Sequence, residues 1–320
     1  MAPPTRSDGT GTVSGSVDLP PEISARLDAV AVFAGRPLLV EELSGGLTNR
    51  NYKVTVDGAR YVARMSSPEG ALLAIDRELE HAASVAAAAC GVAPAVAEYA
   101  PQVGVLVIEW LDARTFTEAD VRDSRNLPAV VAALRVLHSG APLPGTFDCF
   151  EMMRSYLDVV ATRGLRKPER FDEFLPVIER IRGALAVRDD GLVPCHNDLL
   201  AANVLDDGTR IRLIDYEYAG NNDACFELGN LWSESNLAPE QLDELIALYY
   251  GTALRHKVAR ARLFALVAKA LWMLWASIQN GVSDLDFDFW SWGMEKYDRA
   301  VAEFDGPDLE RWIDEVQRSD

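Results

Sequence analysis

Between residues 194 and 220 the chain reads Pro-Cys-His196-Asn-Asp198-Leu-Leu-Ala-Ala-Asn203-Val-Leu and then, after a short polar turn and an apolar run, Leu-Ile-Asp215-Tyr-Glu217-Tyr218-Ala-Gly220. A carboxylate, an amide five residues on and a second carboxylate beyond an apolar stretch supply one proton acceptor and two hard oxygen ligands. Mg²⁺ is small and hard, takes oxygen donors and keeps several waters, so Asn203 and Asp215 are the candidate metal ligands. Asp198 is left to accept or orient the proton of an attacking hydroxyl. This is how a phosphoryl-transfer site presents one base and two magnesium ligands, and it predicts a small-molecule kinase that uses ATP and Mg²⁺. Turn capping explains any one of the three side chains, but not their joint spacing around apolar segments. His196, beside Asp198, is placed to orient this segment and joins it as a catalytic candidate.

Other residues fit the same chemistry through their position. Ser44-Gly45-Gly46-Leu47-Thr48-Asn49 falls between two strands, where glycines let backbone N–H groups approach phosphate oxygens. A double glycine alone is only a turn; here it stands where a kinase places its phosphate loop, which makes Gly45, Gly46, Thr48 and Asn49 nucleotide-binding candidates. Arg64, near the end of the next strand, is placed to contact the phosphates, and Glu80, with Glu78 as the other choice, is the helical carboxylate to pair with it. Ile108 and Trp110 end the last strand before the helical half, where backbone groups can meet adenine. His138 reads as structural at a helix end, and His81 and His256 as surface residues on helices.

The elements that must hold these groups divide the chain in two. Strands are expected at 39–43, 52–56, 61–65 and 103–108, with Asp57-Gly58 as a hairpin turn, and a helix at 75–89 closed by Gly91. Beyond Pro128 the periodicity turns helical, with helices expected near 127–138, 152–162, 171–186, 239–257, 259–279 and 286–304. The fold class is therefore α+β: a small antiparallel-sheet lobe with one helix, then a large, mainly helical lobe, with the site between them. Residues 1–20, rich in Gly, Ser, Thr and Pro, are expected to be a disordered tail, residues 21–112 the nucleotide-binding lobe, and residues 113–320 the catalytic and substrate-binding lobe.

Composition narrows the partners. The net charge of −18 argues against nucleic acid or an anionic membrane and suits a cationic small substrate. The apolar stretch 263–278 is interrupted by Lys269 and reads as a buried helix, with no membrane insertion expected. Four dispersed cysteines without a C-x-x-C pair imply reduced thiols and a cytoplasmic setting, and their spacing indicates neither a zinc site nor a disulfide framework. The oligomeric state is left open, with a homodimer among the alternatives.

From about Leu43 to Phe304 the chain resembles the choline and ethanolamine kinase family, within the aminoglycoside-phosphotransferase and protein-kinase-like group. The resemblance is carried by Ser44-Gly45-Gly46-Leu47-Thr48-Asn49-Arg-Asn51-Tyr52, His196 to Asn203, Ile214 to Gly220, Glu227-Leu-Gly-Asn230-Leu-Trp-Ser-Glu234 and Leu271-Trp272-Met-Leu-Trp275-Ala-Ser-Ile-Gln279. It implies a bilobal protein-kinase-like fold, with Asp198 as base, Asn203 and Asp215 on Mg²⁺, and Arg64 in the usual nucleotide-lysine position. It further implies a small cationic alcohol, choline or ethanolamine, lying against Glu217, Tyr218, Trp272, Trp275 and an aromatic of the 287–292 segment such as Trp292, with Glu234 supplying negative charge. Two positions depart from the family pattern: Glu227 stands where Asp is usual, and Trp292 where many relatives carry Tyr. The aromatics also make physical sense, because a quaternary ammonium has no N–H to donate and is recognised by ring faces and a nearby carboxylate. Trp272 and Trp275 share one face of a helix.

Overall fold

A computed structural model describes residues 19–319. The tail expected at residues 1–20 lies outside the described residues except for its last two positions.

The first lobe is a five-stranded antiparallel sheet in the order β1-β2-β3-β5-β4, formed by β1 (Leu39–Leu43), β2 (Arg50–Val56), β3 (Ala59–Met65), β4 (Val96–Ala100) and β5 (Val105–Glu109). Alternation decides its faces: Tyr52, Val54 and Val56 of β2 are buried while the residues between them are not. Asp57 and Gly58 both adopt positive φ, 50° and 82°, which is the backbone a two-residue hairpin turn needs. The pairing sets Arg64 of β3 opposite Asn51 of β2 and Leu106 of β5. Two elements here were not expected. Helix α1 (Pro21–Asp28) buries Ile23 and Leu27 and is pinned by Arg26, which donates to the carbonyls of Val103 (2.8 Å) and Gly104 (2.7 Å). Among the described residues, strand β4 pairs only with β5, through a register irregularity, so its pattern carries little alternation to read. Helix α2 (Arg77–Ala89) is capped by Asp76, whose carboxylate accepts from the backbone of Glu78 and Leu79.

The second lobe contains α3 (Glu118–Arg122), α4 (Leu127–His138), α5 (Cys149–Arg163), α6 (Leu175–Leu185), α7 (Ala224–Glu234), α8 (Pro239–Tyr250), α9 (Arg255–Val282), α10 (Phe289–Phe304) and α11 (Leu309–Val316). Short strands β6 (Arg114–Thr115), β7 (Val193–Cys195), β8 (Val204–Asp206), β9 (Ile211–Leu213) and β10 (Gly220–Asn222) form two small sheets that frame the segments 196–203 and 214–219. The expected helix 239–257 stops at Tyr250, because Gly251 takes φ +88° and ends it. The segment 171–174 is a 3₁₀ turn, after which Pro176 opens α6. Helix α7, which was not expected, is buried along all eleven of its residues, and its polar stripe of Glu227, Asn230 and Glu234 faces the site rather than solvent.

Helix α9 is the axis of this lobe. It runs 28 residues, longer than expected, and its most apolar window is long enough to cross a membrane, yet 94% of that window is buried inside the fold. His256, expected on the surface, is buried near its start. The helix packs against α5, α7, α10 and α11. Gly229 allows α7 to approach α9 closely, since a Cβ there would stand 2.2 Å from the Ala261 carbonyl oxygen. Along the same two helices Asn230 accepts from the Trp272 indole, and Glu234 lines one cavity with Trp272 and Trp275.

Candidate active site

Strand β7 delivers the segment 196–203, and its shape is imposed by hydrogen bonds rather than by local preference. Asn197 and Asp215 have positive φ, 66° and 75°, unusual for residues with a side chain. Asn197 is held by its own amide, which donates to the carbonyls of Tyr218 (3.0 Å) and Gly220 (3.3 Å) and accepts from Asn222 (2.8 Å). Glu227, fully buried on α7, accepts the backbone N–H groups of His196 (3.0 Å) and Asn197 (2.7 Å). Burial works against its charge, but His138, 3.4 Å away, and His196 outweigh that and hold its carboxyl below the usual range. The extra methylene relative to Asp is thus accommodated without loss of the bracing bonds. His196 donates Nε2–H to the Ile214 carbonyl (2.8 Å) and accepts the Asp198 N–H at Nδ1 (3.3 Å), so it ties the Asp198 loop to the residue preceding Asp215.

Four carboxylates, Asp198, Asp215, Glu217 and Glu234, line one cavity. Burial first, then the charges of Asp215, Glu217 and Glu234, push the Asp198 carboxyl well above its ordinary range, with Lys296 in opposition. Burial and Asp215 likewise raise Glu217 to about 7. For Asp215 burial also resists ionisation, but the Arg64 guanidinium more than offsets it and keeps the carboxyl low. A cluster of this kind calls for cations. The oxygen donors fit Mg²⁺: the Asn203 amide nitrogen donates to the Asp198 carbonyl (2.9 Å), so its Oδ1 is the atom that remains for a cation beside Asp215.

Arg64 lies between the lobes, donating to Glu80 (2.6 Å) and to Asp215. Glu80 is buried and is therefore its helical partner; Glu78, the other choice, instead accepts from the Tyr99 hydroxyl (3.1 Å) near the surface. A second arginine, not expected, completes the network: Arg77 donates to Glu80 (2.7 Å), Glu217 (3.4 Å) and the Asn49 side-chain oxygen (2.9 Å). Its signal in the sequence was its place one turn before Glu80 on the same helix face. Asn49, expected among the phosphate contacts, is turned inward instead; it is buried and donates to Glu217 (2.8 Å). Gly45 has φ +101°, and a Cβ on Gly46 would meet the Asn49 carbonyl at 2.4 Å, so this turn requires both glycines.

Two cavities meet at Asp215. One, of about 540 Å³, lies between the lobes and is lined by Val62, Arg64, Leu106, Ile108, Trp110 and Leu205 among others. The second joins Gly45, Gly46, Leu47 and Thr48 to Asp198, Asn203, Tyr218, Trp272, Trp275 and Trp292. Gln279 of α9 donates to the Leu47 carbonyl (2.7 Å) and fastens the glycine turn to the aromatic wall. The wall is preassembled: the Trp275 indole N–H donates to the Tyr218 hydroxyl (2.9 Å), that of Trp272 to Asn230 (3.1 Å), and the rings of Tyr218 and Trp272 meet edge-on at 5.4 Å. Trp232 and Trp290 lie outside this cavity. One expectation is corrected. The charge of Glu234 is not free for a ligand, because Lys296, which sequence reading missed, already pairs with it at 2.5 Å.

Fold and site together define a phosphotransferase of the protein-kinase-like fold. A model of the phosphotransferase enzyme family matches residues 39–264. A choline/ethanolamine kinase family protein from Mesorhizobium loti is 30% identical, with a TM-score of 0.79 over 92% of this chain and 98% of its own. Protein LicA of Haemophilus influenzae is 26% identical over 270 residues, 80% of this chain and 77% of that protein. A LicA solved in complex with AMP, 22% identical, has the same fold, with a TM-score of 0.72 over 87% of this chain and 93% of its own. The chain belongs to the phosphotransferase enzyme family and, within it, to the choline/ethanolamine kinases.

Proposed function

We propose that this phosphotransferase is an ATP- and Mg²⁺-dependent kinase acting on the hydroxyl of a small amino alcohol, choline in first place and ethanolamine in second. The observation that carries the reading is the continuity of one cavity from the glycine turn, past Asp198, Asn203 and Asp215, to the aromatic wall of Tyr218, Trp272, Trp275 and Trp292. A hydroxyl two carbons from an ammonium spans that path, with the charged head on ring faces and the oxygen at Asp198. The similar LicA bound to AMP supports a nucleotide in the larger cavity, with adenine near Ile108 and Trp110. The names of the similar kinases support the acceptor class.

In this reading the chain's residues position and neutralise. Arg64 and the backbone N–H groups of Gly45 and Gly46 hold the nucleotide phosphates, and Asp198 orients the hydroxyl for in-line attack and takes its proton. Asn203 and Asp215 hold Mg²⁺, which when bound supplies charge neutralisation for the transferring phosphoryl group. His196 keeps Asp198 in register with Asp215. The lobe boundary falls near residue 112, and four free cysteines support a cytoplasmic setting.

A coupled ATP-turnover panel with choline, ethanolamine, thiamine and an aminoglycoside, run on the wild type and on Asp198→Asn, tests the proposal. Turnover of choline or ethanolamine that Asp198→Asn abolishes, with nucleotide binding retained, is expected. Turnover of the aminoglycoside or thiamine alone, or near-normal activity of Asp198→Asn, overturns it.

A further inference from the structure

Lys296 stands one turn after Trp292 on α10, and its side chain folds back over that ring, with Nζ 4.2 Å from the ring centroid. The same ammonium lies 2.5 Å from Glu234 Oε2, the two side chains being only 4% and 3% exposed. The other carboxylate oxygen, Glu234 Oε1, is buried without a hydrogen-bond partner. Glu234 and Trp292 both line the cavity that contains Asp198.

A cation on an aromatic face and against a carboxylate is the arrangement that holds a ligand ammonium. Half of that arrangement is here filled by the chain's own lysine. The remaining charges pair off: Arg64 with Glu80 and Asp215, and Arg77 with Glu80 and Glu217. Among the described residues, Asp198 is the cavity carboxylate left without a cation at ion-pair distance. A positively charged ligand therefore enters a cavity whose wall at Glu234 and Trp292 is already backed by one buried, fixed ammonium.

We propose that Lys296 is a specificity-determining residue. By packing on one face of Trp292 and pairing with one oxygen of Glu234, it places a positive charge behind that end of the cavity wall, biases the substrate's positive charge toward the Tyr218, Trp272 and Trp275 side, and limits how strongly the site prefers a cation to a neutral alcohol of the same shape. The inference rests on the amino-alcohol reading above and names a determinant of that site.

The test compares kcat/KM for choline with that for 3,3-dimethylbutan-1-ol, its uncharged isostere, as a ratio. Lys296→Met removes the repelling charge and frees Glu234, and it raises the ratio by about tenfold or more, since close charges in a buried site interact strongly. Lys296→Arg keeps the wild-type ratio to within about twofold, because the charge is retained. A lone buried carboxylate in Lys296→Met can cost the fold, so Glu234→Gln and the double variant Lys296→Met/Glu234→Gln form a second comparison. The double variant shows a ratio several-fold above Glu234→Gln, which keeps the lysine and lacks its partner. A purely structural lysine moves both alcohols together; equal ratios in each comparison overturn the proposal. Wild-type protein inactive on both choline and ethanolamine removes instead the reading on which it rests.

Discussion

Arg64 on β3 donates directly to Asp215, 151 residues later in the chain and across the cleft, while its other amino group holds Glu80 of α2. One guanidinium thus joins the sheet, the helix of the first lobe and a proposed metal ligand of the second. Replacing it with Met strips Asp215 of its guanidinium partner and leaves Glu80 with Arg77 alone. Charge-assisted hydrogen bonds contribute roughly 1.5 to 3 kcal/mol each, so Arg64→Met is expected to weaken MgATP binding by about tenfold to a hundredfold, as read by isothermal titration calorimetry. Lys recovers only part of it, because an ammonium cannot span Glu80 and Asp215 with a planar fork. Free Mg²⁺, by contrast, binds more tightly to Arg64→Met, since Asp215 loses its competing cation; unchanged Mg²⁺ affinity would contradict that competition.

Glu227 gives the segment around Asp198 its shape. Glu227→Ala leaves the N–H groups of His196 and Asn197 buried without acceptors, and the expected loss is about 2 to 5 kcal/mol in urea unfolding, accompanied by a fall in kcat. Glu227→Asp keeps an acceptor at this position and is expected to retain most of the stability. Equal losses in the two variants would show that the carboxylate is not the brace.

Trp275 has two separable roles. Its ring faces the cavity and its N–H fixes the Tyr218 hydroxyl. An ammonium on a ring face gains about 0.5 to 2 kcal/mol, so Trp275→Ala and Trp272→Ala are each expected to raise KM for choline by roughly twofold to thirtyfold. Trp275→Phe keeps a ring and loses the hydrogen bond, and falls between. Steady-state kinetics in which neither Ala variant changes KM would place the charged head elsewhere.

The acidic cavity makes cation binding pH-dependent. Glu217 titrates near 7 because burial and Asp215 disfavour its charge. Its raised value means the folded chain holds a proton that the unfolded chain has already released, so stability without ligand falls as pH rises from the ordinary carboxylate range to about 7, then levels off. Cation affinity runs the other way and rises through the same window, with proton release on binding. Thermal unfolding and calorimetry in buffers of different ionisation enthalpy check both signs. In Glu217→Gln the proton release should diminish.

Much of this candidate site was legible in the chain because its proposed catalytic and metal-binding residues sit close together in sequence, and the fold brings them to one cavity. Asp198, Asn203 and Asp215 are separated only by short strands, so their spacing alone implied convergence, and the glycine turn lay between two strands whose alternation was plain. Strand β4 and helix α7 were not legible: among the described residues one has a single partner and an irregular register, and the other is buried on every side, its polar residues facing the site rather than solvent.

What the chain determined by itself was the set of candidate reacting groups and the order of sheet and helix, since these follow from local spacing and alternation. Which charges are free was decided only by the tertiary structure. Arg77 reaches Glu217, Asn49 turns inward, and Lys296 neutralises Glu234 through contacts between residues 62 to 168 positions apart, apart from the Arg77–Glu80 turn. Sequence spacing lists the charges of such a site but not their pairing, because an ion pair depends on distance and burial in three dimensions, and the one-turn rule reaches only neighbours on a single helix.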